Sequence, residues 1–237
     1  MTAQTTASKQ VADVAAALHG LRDGMTLAVS GFGLSSNPER LIAAVVEHGV
    51  RDLTLVANNA GALGLGLATW LEHGLVRRFI GTYVGDNAHL QAAIDEGVVD
   101  VRLVPQGTFV ERLRAAGAGL AGFYTPTGVG TVVAEGKEQR TFDGRTYLLE
   151  RALPVDFAFV RAHRADPFGN VRFWGTGQNF GPAMAMAAAT TVVEADGVVA
   201  LGELAPDDVH LPGAFVQRVL EVTEHDDVVE AYVRGRR

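Results

Sequence analysis

Thr26-Leu27-Ala28-Val29-Ser30-Gly31-Phe32-Gly33-Leu34-Ser35-Ser36-Asn37-Pro38-Glu39 is the stretch that decides the fold. A short apolar run of strand character breaks into a glycine-rich turn, and a helix start follows. Asn37 is an N-cap candidate, Pro38 sits at the first helical position and Glu39 puts an acid in the first turn. That helix is expected to run to Glu47 or His48 and to stop at Gly49. A strand that turns directly into a helix is the opening of a β–α unit, and the pattern repeats downstream.

Strands are expected at residues 53–57, 78–84 and 99–104, the last cut by Pro105. Between and after them come helices at 67–72, closed by Gly74, at 87–96, ended by Gly97, and at 109–116, ended by Gly117. Upstream, Val11, Val14, Ala15 and Leu18 form a helical face before the Asp23-Gly24 turn. This alternation predicts an α/β fold: an open, mostly parallel sheet flanked by helices. Residues 117–150 break the rhythm. They are rich in Gly, Thr and charge, with β-like pieces near 131–134 and 146–149 and a hairpin signal at Asp143-Gly144, and they read as a small β-rich flap or insertion. Further core strands are expected at 155–160, 190–194 and 197–201, with a glycine-rich loop at 175–182. Residues 1–237 read as a single domain whose first nine residues form a frayed tail.

Composition bounds the function. A chain of 237 residues that is 48% hydrophobic can bury one large core. No apolar run approaches the roughly 18–20 residues that a membrane span needs, and the polar start lacks the apolar centre of a signal peptide. A cytoplasmic protein is expected. A formal charge of −7 argues against nucleic acid as partner. The absence of cysteine removes disulfides, thiolate catalysis and Cys-based metal sites. The histidines are scattered, with no His-x-x-x-His or His-Glu-x-x-His pair, so no metal site is expected.

In parallel sheets, ligands bind beyond the carboxyl ends of the strands. There this chain places Gly31-Phe32-Gly33, Asn58-Asn59-Ala60-Gly61, Gly85-Asp86-Asn87 and Pro105-Gln106-Gly107-Thr108. The glycine pattern lacks the third glycine of a dinucleotide fingerprint, and no Walker lysine is present. The amides are more specific. Asn and Gln donate hydrogen bonds without charge, and a donor aimed at a developing oxyanion is worth about 3–4 kcal/mol. The alternative is that Asn58 and Asn59 only satisfy their own turn. A nucleophile to accompany these donors is hard to find. Ser8, Ser30, Ser35 and Ser36 are the only serines, none in a nucleophile elbow, and Ser35 and Ser36 read as capping residues. His210 is expected to be structural. Glu203 alone among the glutamates lies just beyond a predicted strand end.

At these residues the chain resembles the A (alpha) subunit of family I coenzyme A transferases of the 3-oxoacid, or succinyl-CoA:3-ketoacid, type. The resemblance spans about residues 23–219. It is carried by residues 23–38, by Val56-Ala57-Asn58-Asn59-Ala60-Gly61, Tyr83-Val84-Gly85-Asp86-Asn87, Pro105-Gln106-Gly107-Thr108 and Gly117-Ala118-Gly119, and by residues 123–130, 135–138 and 207–213. It implies a ping-pong reaction. A glutamate attacks the acyl-CoA thioester to give an acyl–glutamyl anhydride; CoA thiolate returns to form an enzyme–CoA thioester; the second acid then takes the CoA. CoA is a substrate and no cofactor is implied. The glutamate belongs to the B (beta) subunit, in a Ser-Glu-Asn-Gly type motif that this chain lacks, so the resemblance implies that the nucleophile arrives in trans.

By the same resemblance, Gln106 and Asn58 hold the carboxylate or oxyanion, Asn59 supports their turn, Gly31, Phe32 and Gly33 form a wall, and Gly128 and Gly130 shape the mouth. The chain departs from the family's pattern at Ser30 and Ser36, usually glycine. It departs again where relatives carry Ala-Arg-Asn-Phe-Asn-Pro and this chain has Gly177-Gln178-Asn179-Phe180-Gly181-Pro182. Two other readings stand beside the transferase: an acyl-CoA hydrolase or ring-opening enzyme on the same scaffold, and a non-enzymatic small-molecule binding module.

Overall fold

Leu27 and Val29 pack into one apolar cluster and Ala28 into another, so both faces of the first strand are buried. Burial on both faces marks a central strand of a covered parallel sheet. The computed structural model of the chain, which describes residues 8–62, 64–85 and 87–223, contains such a sheet. Its strands are β1 (Thr26–Val29), β2 (Leu53–Ala57), β3 (Val76–Gly81), β4 (Asp100–Leu103), β8 (Val155–Ala162), β11 (Ala188–Ala195) and β12 (Arg218–Glu221). All seven run parallel, in the order β12-β11-β8-β1-β2-β3-β4. The chain winds outward from β1 to β4 and then returns to the other side of β1 through β8. The direction of winding therefore reverses between β1 and β8, and at such a switch point the strand-end loops diverge and leave a crevice.

Helices α1 (Val14–Ala17), α2 (Glu39–His48), α3 (Ala68–Glu72) and α4 (Ala88–Asp95) cover one face, where Ile42, Trp70 and Leu90 meet Leu27, Phe79 and Phe157. Helices α5 (Gln106–Gly117) and α6 (Gly181–Ala187) cover the other, where Phe109, Leu113 and Met184 meet Ala28, Val56 and Val160. The alternation of odd and even strand residues between the two clusters is the two-residue period of a strand.

The flap is a separate antiparallel sheet, β5 (Gly122–Thr125), β7 (Arg145–Arg151) and β6 (Gln139–Phe142), in that order. Asp143 (φ 48°) and Gly144 (φ 77°) make the tight turn between β6 and β7 with the positive φ pair such hairpins require. A two-stranded ribbon, β9 (Arg164–Ala165) with β10 (Val171–Arg172), follows β8.

Several sequence expectations are corrected. Residues 132–134 form a single 3₁₀ turn, not a strand, because the Thr131 hydroxyl accepts the Val133 N–H. Residues 197–201 form no strand and make only a bridge from Val198 to Ala165. The glycine-rich stretch at 175–182 contains a 3₁₀ turn and the start of α6, and β12 lies beyond the last expected strand. Asn37 does not cap α2; its Nδ2 donates to Glu39 Oε1 at 3.0 Å. Helix α5 starts at Gln106, directly after Pro105 (φ −53°, ψ 135°), so Gln106 stands in a first helical turn and not in a loop. Lys9, expected in the frayed tail, is tied down: its N–H donates to Pro167 O, its carbonyl accepts from Val219 N, and its Nζ donates to Gly213 O. Residues 1–7, Asp86 and His225 lie outside the described residues.

Candidate functional site

Strands β2 and β4 end at the same edge of the sheet, and that brings Asn58 to Gln106. Asn58 Oδ1 accepts from Gln106 Nε2 at 2.9 Å and from the Thr82 hydroxyl at 2.8 Å. Asn58 Nδ2 donates to Asn59 Oδ1 at 3.2 Å, and the same oxygen accepts the Gly33 N–H at 3.0 Å. One chain of hydrogen bonds thus joins the turns after β1, β2, β3 and β4. Asn58 is buried and both ends of its amide are engaged, whereas Gln106 is exposed and keeps its second N–H and its Oε1. The next turn is held from below by Asn87, whose Nδ2 donates to Ala60 O at 2.6 Å while its Oδ1 caps α4 at Leu90 N.

The glycines at this edge serve the backbone path. Gly31 has φ 131°, and a Cβ there would overlap the Asn37 side-chain oxygen. Its N–H donates to Asn179 Oδ1 at 3.2 Å, which joins the turn after β1 to the loop before α6. Phe32 and Ser35 exchange both backbone hydrogen bonds across the turn containing Gly33 (φ 64°), and this leaves the Phe32 ring 56% exposed. Ser35 and Ser36 therefore shape a turn instead of capping a helix.

Two cavities open on this edge. One, of about 460 Å³, is lined by Phe32, Ser35, Ser36, Gln106, Thr176, Asn179 and Phe180. Among the described residues its lining offers amides, hydroxyls and aromatic rings, with no carboxylate, thiol or imidazole. The second, of about 420 Å³, lies at the ends of β8 and β11 and is lined by Ser36, Arg161, His163, Trp174, Gly177 and Asp196 among others. There Arg161 Nε donates to Asp196 Oδ1 at 3.1 Å, and His163 Nδ1 stands 3.6 Å from Asp196 Oδ2. Sequence reasoning missed Arg161, His163 and Asp196, and gave Ser36 no part in a cavity. The signal for them is the switch point, which becomes visible only when the strand order is known.

The departures from the family's pattern acquire partners. The Ser30 hydroxyl accepts the Arg161 N–H at 3.1 Å, joining the ends of β1 and β8. Ser36 and Gly177 face one another: a Cβ on Gly177 would lie 2.6 Å from Ser36 Oγ. Among the described residues nothing gives Gln178 a contact that explains its standing where relatives carry arginine.

Glu194 on β11 is buried, and its Oε2 accepts the Leu41 N–H at 2.9 Å. Together with a bond from the Arg40 N–H it takes the place at the start of α2 that Asn37 leaves vacant. Its Oε1 has no partner among the described residues. Burial raises its pKa to about 7, against the lowering effect of the two backbone N–H groups. Glu203 turns back on its own loop, accepting the Ala200 N–H at 3.1 Å. His210 stacks on Phe173 and accepts its N–H, a structural position. Gly128 backs onto Val133 of the 3₁₀ turn and Leu148 of β7, and Gly130 lies two residues further along that loop. Neither lines the two cavities, and among the described residues no hydrogen bond joins them to Gln106. No group of three or more His, Cys, Asp or Glu side chains among the described residues is placed to hold a metal ion, and no described helix is long and apolar enough to cross a membrane.

This arrangement can orient a carbonyl or carboxylate with uncharged donors at a strand-end crevice. Comparison with known proteins bears on the same point. A family model described as Coenzyme A transferase matches residues 11–222. The chain is 43% identical over 223 residues to the A subunit of the succinyl-CoA:3-ketoacid coenzyme A transferase of Helicobacter pylori, covering 94% of this chain and 96% of that one. It is 48% identical over 199 residues to the alpha subunit of the acetate CoA-transferase of Escherichia coli K12, covering 84% of this chain and 90% of that one. Among solved structures, an acyl-CoA transferase of E. coli O157:H7 superposes with a TM-score of 0.83 at 22% identity over 92% of this chain. The chain spans about half the length of that protein, 48%, and the likeness is one of fold.

Proposed function

The chain belongs to the coenzyme A transferase family, and from that premise we propose that it is the one-domain A (alpha) subunit of a heteromeric enzyme that moves CoA from an acyl-CoA such as succinyl-CoA to a short 3-oxo acid. The observation that carries the reading is the Gln106 cavity, rich in donors and, among the described residues, without a carboxylate, thiol or imidazole in its lining. The B (beta) subunit supplies the glutamate. The first half-reaction passes through two attacks on a carbonyl carbon: the glutamate attacks the thioester and expels CoA thiolate, and that thiolate attacks the glutamyl carbonyl of the anhydride and releases the donor's free acid. The second half-reaction runs these steps in reverse with the acceptor acid, and each attack puts negative charge on a carbonyl oxygen. The free N–H of Gln106 meets that charge. Asn58, fully engaged with Gln106, Thr82 and Asn59, is a positioning residue that fixes the Gln106 amide. Asn59 holds the Gly33 turn in the same way, and Gly31, Phe32 and Gly33 wall the crevice. CoA is a substrate, the reaction needs no cofactor, and the enzyme works in the cytoplasm.

The test is to assemble the chain with its partner subunit, add acyl-CoA without an acceptor acid, and weigh both chains. A CoA adduct is expected on a glutamate of the partner, and CoA transfer is expected only from the assembled pair. A CoA adduct on this chain, or transfer by this chain alone, overturns the reading. Steady release of free acid by the pair, with no transfer to any acceptor acid, assigns a hydrolase instead.

A further inference from the structure

The hydrogen bonds that join the strand-end turns have a direction. A side-chain amide has a donating and an accepting end, and the bonds it makes decide which end faces which neighbour. Asn58 turns its Oδ1 to Gln106 Nε2 at 2.9 Å and to the Thr82 hydroxyl at 2.8 Å, and its Nδ2 to Asn59 Oδ1 at 3.2 Å. With Asn58 turned end for end, two of these neighbours would bond as readily. Gln106 would present its Oε1 to Asn58 Nδ2. Thr82 would accept from Asn58 Nδ2 and send its own proton to the Asn58 backbone oxygen, which already lies 3.1 Å from Oγ1. A hydroxyl and an amide serve either direction.

A backbone group breaks the tie. The Gly33 N–H donates to Asn59 Oδ1 at 3.0 Å. A backbone N–H has no accepting end, so Asn59 must face it with oxygen. That same oxygen is the atom Asn58 meets, so Asn58 must meet it with nitrogen and turn its own oxygen to Thr82 and Gln106. Gln106 must then bring its nitrogen to Asn58. The direction set in the turn after β1 is handed through two asparagines to the first turn of α5.

Direction matters at Gln106 because this side chain is exposed and lines the cavity. With the nitrogen beside Asn58, its second N–H points from a fixed place. End for end, a carbonyl oxygen would stand in that place and repel a developing negative charge instead of meeting it. Building on the proposed transferase reading, we propose that Asn59 is a positioning residue that sets the direction of the Gln106 amide, so that the Gly33 N–H decides which atom of Gln106 serves the crevice. Loss of the Asn59 oxygen reverses the chain of bonds. Asn58 is buried, and in the present direction its Nδ2 would be left without an acceptor. Reversal gives both Nδ2 hydrogens a partner, in Thr82 and Gln106, and leaves only an oxygen unpaired. Buried N–H groups go unpaired more rarely than carbonyl oxygens do.

The test uses the enzyme assembled with its partner subunit. The kcat for CoA transfer is measured in the wild type, Asn59→Leu, Gln106→Ala and the double variant. Asn59→Leu is expected to lower kcat by more than about tenfold with KM changed less than about threefold, and to lower it less than about twofold further when Gln106 is already alanine. Losses that multiply in the double variant overturn the proposal and leave Asn59 as a support of the Gly33 turn. An unchanged kcat in Asn59→Leu overturns it as well. Where the variants do not fold, the wild type decides. Neutron diffraction from crystals grown in heavy water places the deuterons of each amide. They are expected on the Gln106 atom beside Asn58, with none on the Asn59 atom beside Gly33, and the opposite arrangement overturns the proposal. Absence of CoA transfer to any acid by the wild type sinks the transferase reading instead, and the neutron map still reports the direction of the bonds.

Discussion

Gln106 and Asn58 share one hydrogen bond but have different work. Asn58 is enclosed, with its oxygen answering two donors and its nitrogen answering Asn59. Gln106 stands on the first turn of a helix with half of its amide open to the crevice. Removing an oxyanion donor costs about 100-fold or more in kcat in measured cases. Gln106→Ala in the assembled enzyme is accordingly expected to lower kcat by more than about tenfold with little change in melting temperature, because an exposed side chain is lost. Asn58→Ala is expected to lower both, since it leaves Thr82 and Gln106 unanswered. Thermal melts run beside the kinetics check the pair; an unchanged rate in Gln106→Ala makes that residue structural. The placement of the amides at one edge was legible in the sequence, since Asn58, Asn59 and Gln106 follow predicted strands. Their division of labour was not, because it depends on which amide the fold buries.

At the scale of elements, α2 shows where reading a sequence locally runs out. Asn37, Pro38 and Glu39 have the grammar of a helix start, and Gly49 ends the helix in the left-handed conformation as expected (φ 77°). Yet the cap comes from Glu194, on a strand two places away in the sheet. Burial holds the folded-state pKa of Glu194 near 7, above the ordinary 4.5. The protonated form thus favours the fold: the contribution is full below the ordinary value and is lost as pH rises through about 7, on the order of 3 kcal/mol in all. Wild-type melting temperature is expected to fall from about pH 5 to about pH 8, and Glu194→Gln, which keeps an acceptor for α2, is expected to flatten that slope. An equal slope in both proteins assigns the dependence elsewhere. The meeting of Ser36 with Gly177 makes a second prediction at this scale. Gly177→Ala is expected to impair transfer, Ser36→Gly to restore it, and the double-mutant cycle to show a coupling of about 0.5–1 kcal/mol; additive effects refute the contact. Strands β1 and β2 could be read because each is a short apolar run closed by a turn, and β3 and β4 because β-favouring apolar residues interrupted by arginine lead into a turn. Helix α6 could not, because Gly181 and Pro182 open it and disguise it as loop. Strand β12 is four residues long at a sheet edge, too short for its alternation to stand out.

For the whole molecule, the seven parallel strands send Gly33, Asn58, Asn59 and Gln106 to one edge. That edge also carries exposed rings: Phe32 after β1, Tyr83 after β3 and Trp174 after β10. If the partner subunit brings its glutamate here, it covers them. The chain's two tryptophans make this easy to see, because Trp70 is fully buried against α2 and Trp174 is 72% exposed. Adding the partner is expected to shift the tryptophan emission to shorter wavelength and to reduce quenching by iodide, with both effects lost in Trp174→Phe when the partner carries no responsive tryptophan at the interface. Emission and quenching that do not change on assembly place the partner on another face.

The reversal of winding beside β1 also has a consequence for how the protein is made. Strand β1 leaves the ribosome before the other described strands, and its pairing with β2 is local, Leu27 with Leu55. Its other edge waits for β8, Leu27 with Phe157, more than half the chain later. Until then an apolar strand edge stays open, the kind of surface that nascent chains bury in chaperones or lose to aggregation. The strand-end crevice is therefore closed only late in synthesis, and a truncation before Val155 removes one of its two walls along with the strand that shields β1.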